Sequence, residues 1–141
     1  MVAMQEAPTS ILRNALTALL LMAAALIVLT GLFAVANFAW REPMFDQYRL
    51  YPEYLALPFP DNVLQLQNGH RPIFPSLLRV AEIRWLHANQ SLQIVVGACL
   101  ASFTVLIAAF ACWRDRRTPP LPRAVAVVAS ATAVFWFGNA R

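Results

Sequence analysis

The chain has 141 residues, of which 60% are hydrophobic and 13% charged, with a formal net charge of +4. A soluble domain carries about 25% charged residues, so this chain lacks the polar surface to cover itself in water, and its natural solvent is lipid. All of its basic residues are arginines, spread over the tail and loops where topology selects them; with no basic stripe interleaved with aromatics, nucleic acid is excluded as a partner.

In chain order, residues 1–10 form a short polar tail. Ala15 to Ala36 is a run without charge, about 33 Å long as a helix and enough to span the hydrocarbon of a bilayer. Arg13 and Arg41 flank it, and Trp40 suits the interface. Ala34-Val35-Ala36 has the form of a signal cleavage site, but the apolar run is too long for a signal core of about 7–15 residues. The segment over about 11–40 therefore reads as an uncleaved helix.

Residues 41–93 differ in composition. They hold both histidines and all three tyrosines, with arginines and acids in balance. Pro43, Pro52, Pro58 and Pro60 break any long helix, so the first half is expected to be extended or turn-rich. Tyr48, Tyr51 and Tyr54 recur every third residue and read as interfacial anchors. From Pro72 to His87 a short surface helix is expected, with Leu77, Leu78, Ala81 and Trp85 on one arc and Arg79 and Glu82 together on another. Asn89-Gln90-Ser91 has the form of a glycosylation acceptor.

Ile94 to Trp113 is a second uncharged run of spanning length. Gly97 and Ala101 are small residues at the spacing that lets helices approach closely, and they are the candidate contacts for partner helices. Cys99 and Cys112 lie in this run, about 19 Å apart along a helix axis, too far to pair with each other. No metal pattern or cofactor motif is present in the sequence.

Arg114-Asp115-Arg116-Arg117 and a proline-rich turn to Arg123 follow. By the positive-inside rule this short loop is cytoplasmic, which places the N-terminus inside and the loop 41–93 outside, periplasmic in a bacterium. A third apolar segment, about 121–138, is short for a crossing. The chain then ends abruptly, which reads as the front of a longer multi-pass protein. The expected fold is all-α and integral to the membrane: about three transmembrane helices, with a long outer loop holding a short amphipathic surface helix.

Polar chemistry in such a chain belongs in the outer loop, since charges deep in lipid are costly. Two clusters stand out. In Arg41-Glu42-x-x-x-Asp46-Gln47-Tyr48-Arg49, the carboxylates Glu42 and Asp46 are spaced to share a helical face if the first helix continues past Trp40. A carboxylate at a membrane surface can act as general base toward an acceptor hydroxyl; the plainer reading is a solvated junction. In Asn68-Gly69-His70-Arg71-Pro72, Arg71 offers a fork that fits phosphate oxygens and His70 a further donor. The plainer reading there is an Asn-Gly turn with a wet flank.

These residues carry a resemblance. An apolar helix, an outer loop with an early Asp, and the stretch Asn68-Gly69-His70-Arg71-Pro72-Ile73-Phe74-Pro75-Ser76-Leu77 resemble the N-terminal part of GT-C-type polytopic membrane glycosyltransferases. More narrowly, they resemble uncharacterised bacterial relatives with an Asn-Glu-His-Arg-x-x-x-Pro-Arg-Leu motif. Gly69 and Ser76 depart from that motif. The resemblance implies a polyprenyl-phosphate-sugar donor, Asp46 as base with Glu42 as runner-up, and His70 and Arg71 facing the lipid phosphate. It implies a bacterial inner-membrane location, and a chain that is not active without the remaining helices of such enzymes. The competing reading is a small non-enzymatic three-helix subunit or assembly factor; a transporter fragment is weaker, because no run holds an ionisable residue.

Overall fold

The computed structural model describes residues 6–39, 46–67 and 69–137; the side chains of residues 6–8, 46–50 and 137 lie outside the description. The order of elements is α1 (Glu6–Phe38), α2 (Asp46–Ala56), α3 (Asp61–Leu64), α4 (Ile73–Trp85), α5 (Ser91–Arg114) and α6 (Pro120–Thr132), the last running into a π-helical turn, Ala133–Phe137. Among the described residues there is no strand, only an isolated bridge between Gln67 and His70. The all-α expectation holds.

Among the described residues, two helices are long and apolar enough to cross a bilayer, over Thr9–Phe38 and Ser91–Arg114. Within the most apolar stretch of each, only 11% and 6% is buried inside the chain. The third apolar helix, Pro120–Trp136, is shorter than those two and reaches about 25 Å, against a hydrocarbon core of about 30 Å. Helix α1 begins five residues before its expected start and ends at Phe38, two short of its expected end, whereas α5 outruns both of its expected ends by one to three residues.

The chain divides into two compact units, Met1–Asn37 with Ala98–Arg141, and Phe38–Gly97. In the first, Ala24, Val105, Ala131 and Phe135 form the buried core, with Ile27, Val28, Ala101 and Val127 packed against it. Small residues permit this packing. A Cβ on Gly31 would lie 2.5 Å from Cδ1 and 2.9 Å from Cβ of Phe135, so α1 and the π-helical turn meet because position 31 has no side chain. Gly97 is different: a Cβ there would meet nothing within 4 Å. Within the chain the close approach falls at Gly31, and the surface at Gly97 is open.

Hydroxyls on the apolar helices bond to their own backbone. Thr17 donates to the Arg13 carbonyl at 2.8 Å, Thr30 to Leu26 at 2.8 Å, Ser102 to Ala98 at 2.8 Å, Thr104 to Leu100 at 2.8 Å and Ser130 to Ala126 at 2.8 Å. Such i−4 bonds satisfy a polar group without help from solvent.

In the second unit, α3 packs against α2 and α4. The apolar core is small: Tyr54, Val63 and Val80, with Ile83 beside them. Two expectations fail here. The stretch after Pro43 is not merely extended, because α2 forms over eleven residues with Pro52 inside it. Proline removes one rung of the hydrogen-bond ladder, but Tyr54 in the following turn gains a buried site. Tyr54 is therefore a core residue, only 3% exposed, rather than an interfacial anchor. The inward face of α4 is not the apolar arc, which stays at the surface as a surface helix requires. Ser76 and Val80 are buried with Ile83 partly so, whereas Leu77 and Trp85 are exposed.

Candidate functional site

The polar residues of the unit 38–97 fall into an exposed turn and a buried network. The turn is built by Gln67 and His70, which exchange backbone bonds in both directions, at 2.7 and 2.9 Å. Gly69 sits at φ +79°, which glycine adopts without steric cost. Asn68 lies outside the described residues. Pro72 follows at φ −79°, ψ 67°, an inverse γ conformation in which the Ile73 N–H reaches the Arg71 carbonyl at 2.9 Å. That bend carries the chain from the turn straight into α4.

His70 and Arg71 are both exposed at this turn. The start of α4 adds little of its own for an anion. The Ile73 N–H is already bonded, Pro75 has none, and the Ser76 N–H bonds Pro72 at 2.9 Å. An anion arriving here would be held by the two side chains more than by the helix terminus.

Asp46 is the first residue of α2, and its side chain lies outside the description. Glu42 lies outside the described residues. Since α1 ends at Phe38 and a separate helix begins at Asp46, Asp46 is not carried on a continuation of α1. Asp46 stands eight residues before Tyr54 on α2, about 12 Å along the axis. Tyr54 is the α2 residue that touches the turn, accepting a hydrogen bond from Gln67 Nε2 at its hydroxyl.

The buried network is centred on that hydroxyl. It lies 3.1 Å from Ser76 Oγ, and Asn62 Nδ2 donates to the Tyr54 carbonyl at 3.4 Å. The Arg79 guanidinium sits 5.7 Å from the centroid of the Tyr54 ring, within cation–π range. Asn62 Oδ1 and Arg79 Nε are buried without a hydrogen-bond partner among the described residues.

Glu82 has a separate task. It is fully buried, and its carboxylate accepts the Leu92 N–H at 2.8 Å and Gln93 Nε2 at 2.6 Å. The first turn of α5 contains no acid of its own, so a carboxylate from α4 meets the positive end of its dipole. The expected pairing of Arg79 and Glu82 on one polar arc gives way to two different partners. Asn89, read as a glycosylation acceptor, is also a cap, its Oδ1 accepting the Ser91 N–H at 3.0 Å.

No protein-family model, curated protein or solved structure matches this chain. What can be said of function rests on its own residues.

Sequence reading missed Asn62, Ser76, Arg79 and Glu82 as parts of the polar interior. One signal was available. A helix starting at Ser91 with no acid in its first turn needs an outside acceptor, and Glu82 is the nearest preceding acid.

Proposed function

We propose that this chain is a membrane-embedded module in which α1 and α5 cross the bilayer and residues 38–97 work at the outer lipid–water interface on a phosphate-bearing lipid. The observation that carries the reading is the exposure of the two long apolar helices, whose most apolar stretches are 11% and 6% buried within the chain. Left in water, that surface would cost about 25 cal/mol per Å²; in hydrocarbon it costs nothing. The segment 120–137 is the third crossing, short enough to require local thinning of the bilayer. The arginine-rich loop after α5 faces the cytoplasm and the 38–97 unit faces outward.

At that outer surface Phe74, Leu77 and Trp85 are exposed on α4, and amphipathic surface helices insert such side chains at the headgroup level. The adjacent Arg71 and His70 then meet the phosphate. The finer reading follows the resemblance: the front portion of a polyprenyl-phosphate-sugar glycosyltransferase-like protein in a bacterial inner membrane. In it Asp46, or Glu42 as runner-up, takes the proton of the acceptor hydroxyl as its oxygen attacks the sugar carbon and the lipid phosphate departs.

The test is sugar transfer from a polyprenyl-phosphate donor by the protein in its own membranes. Asp46→Asn is expected to abolish transfer with membrane level and topology normal, and Arg71→Ala to raise the donor KM about tenfold. Full transfer by Asp46→Asn removes Asp46 as base, and recovery of the chain in the soluble fraction after a carbonate wash removes the membrane reading itself.

A second reading is a non-enzymatic subunit that binds partner helices through Gly97 and Ala101. Gly97 favours it, because the surface of α5 is open there, while Ala101 already packs against the core of its own chain. Gly97→Leu then dissolves a detectable complex.

A further inference from the structure

A crevice of about 110 Å³ opens in the first unit, where α1, α5 and the start of α6 come together. Its walls include Leu21, Ala109, Cys112 and Val127, with Arg123 as its charged member. Thr17 also lines it, but its hydroxyl is committed to the Arg13 carbonyl at 2.8 Å. Sites for drug-sized molecules run from about 300 Å³ upward, so this space suits a slender apolar segment and not a compact ligand.

Arg123 is half-buried and fixed by the loop. Its Nε donates to the Thr118 carbonyl at 2.6 Å and an Nη to the Trp113 carbonyl at 3.5 Å. These bonds engage two of the five N–H groups of a guanidinium and hold the fork in place without neutralising it. The nearby acid, Asp115, accepts the Arg117 N–H at 3.0 Å and the Thr118 hydroxyl and also feels the charge of Arg123, but it is one carboxylate against the four arginines Arg114, Arg116, Arg117 and Arg123. Arg114, Arg116 and Arg117 are exposed in the same loop, and Trp113, whose ring suits the headgroup level, also lines the crevice.

We propose that this crevice seats one acyl chain of an anionic phospholipid of the inner leaflet, with its phosphate held by Arg123. Two features select that occupant. The slot is apolar and narrow, and the charges around its mouth are in positive excess, complementary to an anionic headgroup. A zwitterionic lipid fits the slot equally but gains less from the arginines. The assignment rests on α1 and α5 spanning a bilayer, and it concerns residues of the first unit alone.

The test is native mass spectrometry of the intact chain released from detergent micelles, titrated with phosphatidylglycerol or phosphatidylcholine of matched chains. One phosphatidylglycerol is expected to be retained in preference to phosphatidylcholine. Arg123→Gln is expected to weaken its retention about tenfold, the worth of one charge-assisted phosphate contact. Ala109→Leu fills the slot and leaves every arginine in place, so it separates a seated chain from general attraction to the loop; it too is expected to lose the retained lipid. Helix content measured on both variants shows that they are folded. Equal retention of the two lipids, or retention unchanged in both variants, overturns the proposal. A chain that fractionates as a soluble protein fails the membrane reading instead.

Discussion

Replacing Glu82 with alanine should open the junction between α4 and α5. The carboxylate accepts two hydrogen bonds from the first turn of α5, to the Leu92 N–H and the Gln93 side chain. Bonds to a charged acceptor contribute about 1.5–3 kcal/mol each, and an anion at a helix N-terminus adds about 0.5 kcal/mol. What these bonds hold closed is a strained connector, where His87, Ala88 and Gln90 take φ of 53°, 59° and 59° without being glycine. Each such residue costs about 1 kcal/mol or more. Gln93 is half-buried and can turn to water, which recovers part of the loss. The net effect of Glu82→Ala is about 3 kcal/mol, or roughly a hundredfold in the local opening constant.

Amide hydrogen exchange over residues 86–97 reads this directly, because it reports local opening without requiring global unfolding. Glu82→Gln should cost about 1 kcal/mol, since it keeps one carbonyl for Leu92 while Gln93 can present its own oxygen to the new amide. Adding Ala88→Gly to Glu82→Ala should restore part of the protection by relieving the left-handed backbone. Unchanged exchange at Leu92 and Gln93 in Glu82→Ala would refute the capping argument.

The glycines of the two long apolar helices should respond in opposite directions. Gly31→Ala places a Cβ 2.9 Å from the Cβ of Phe135, an atom that cannot swing away; overpacking of this kind costs about 1–3 kcal/mol and should lower the thermal midpoint in detergent. Gly97→Ala meets nothing within 4 Å and should raise it slightly, by the helix propensity of alanine over glycine of about 1 kcal/mol at most. Asp115 should titrate below its ordinary value of 3.8, because the Thr118 hydroxyl and then the Arg117 N–H favour its charged form. Its contribution to the loop is therefore fully present above that value and is lost as pH falls through the lowered one. NMR of the Arg117 amide should show no loosening between pH 8 and 5, and loosening in that range would contradict the assignment.

How legible all this was depends on the range over which the forces act. The helices α1 and α5 were readable because an uncharged run of spanning length is a local property of sequence. The α4 helix was readable from Pro72, and the turn from Asn68-Gly69. What was not legible was which residues pack inward. On α4 the residues that blur the apolar arc, Val80 and Ile83, are the ones that pack inward, and a serine shares their face. Ser76 is inward because its partner is Tyr54, 22 residues earlier, and no local period carries that information. The α2 helix was missed for a related reason: Pro52 argues against it locally, while burial of Tyr54 argues for it only once α3 and α4 are in place. Of the candidate site, the exposed pair His70 and Arg71 was legible, and the buried network beside it was not.

The two units satisfy their polar groups in different ways. On α1, α5 and α6 the bonded hydroxyls at Thr17, Thr30, Ser102, Thr104 and Ser130 turn back onto their own helix. In the unit 38–97 the fully buried side chains are polar, namely Glu82, Asn62 and Ser76, and their bonds join residues from different elements. Local satisfaction is what hydrocarbon demands, since neither water nor a loop is at hand to supply a partner. Tertiary satisfaction suits a small unit with little apolar core, where hydrogen bonds must specify the packing that Tyr54, Val63 and Val80 alone would leave loose. The change from one regime to the other falls after Phe38 and before Gly97 on the chain. Local bonds of this kind need no partner from outside the helix, so they fit the membrane reading proposed above and would serve equally on any apolar helix.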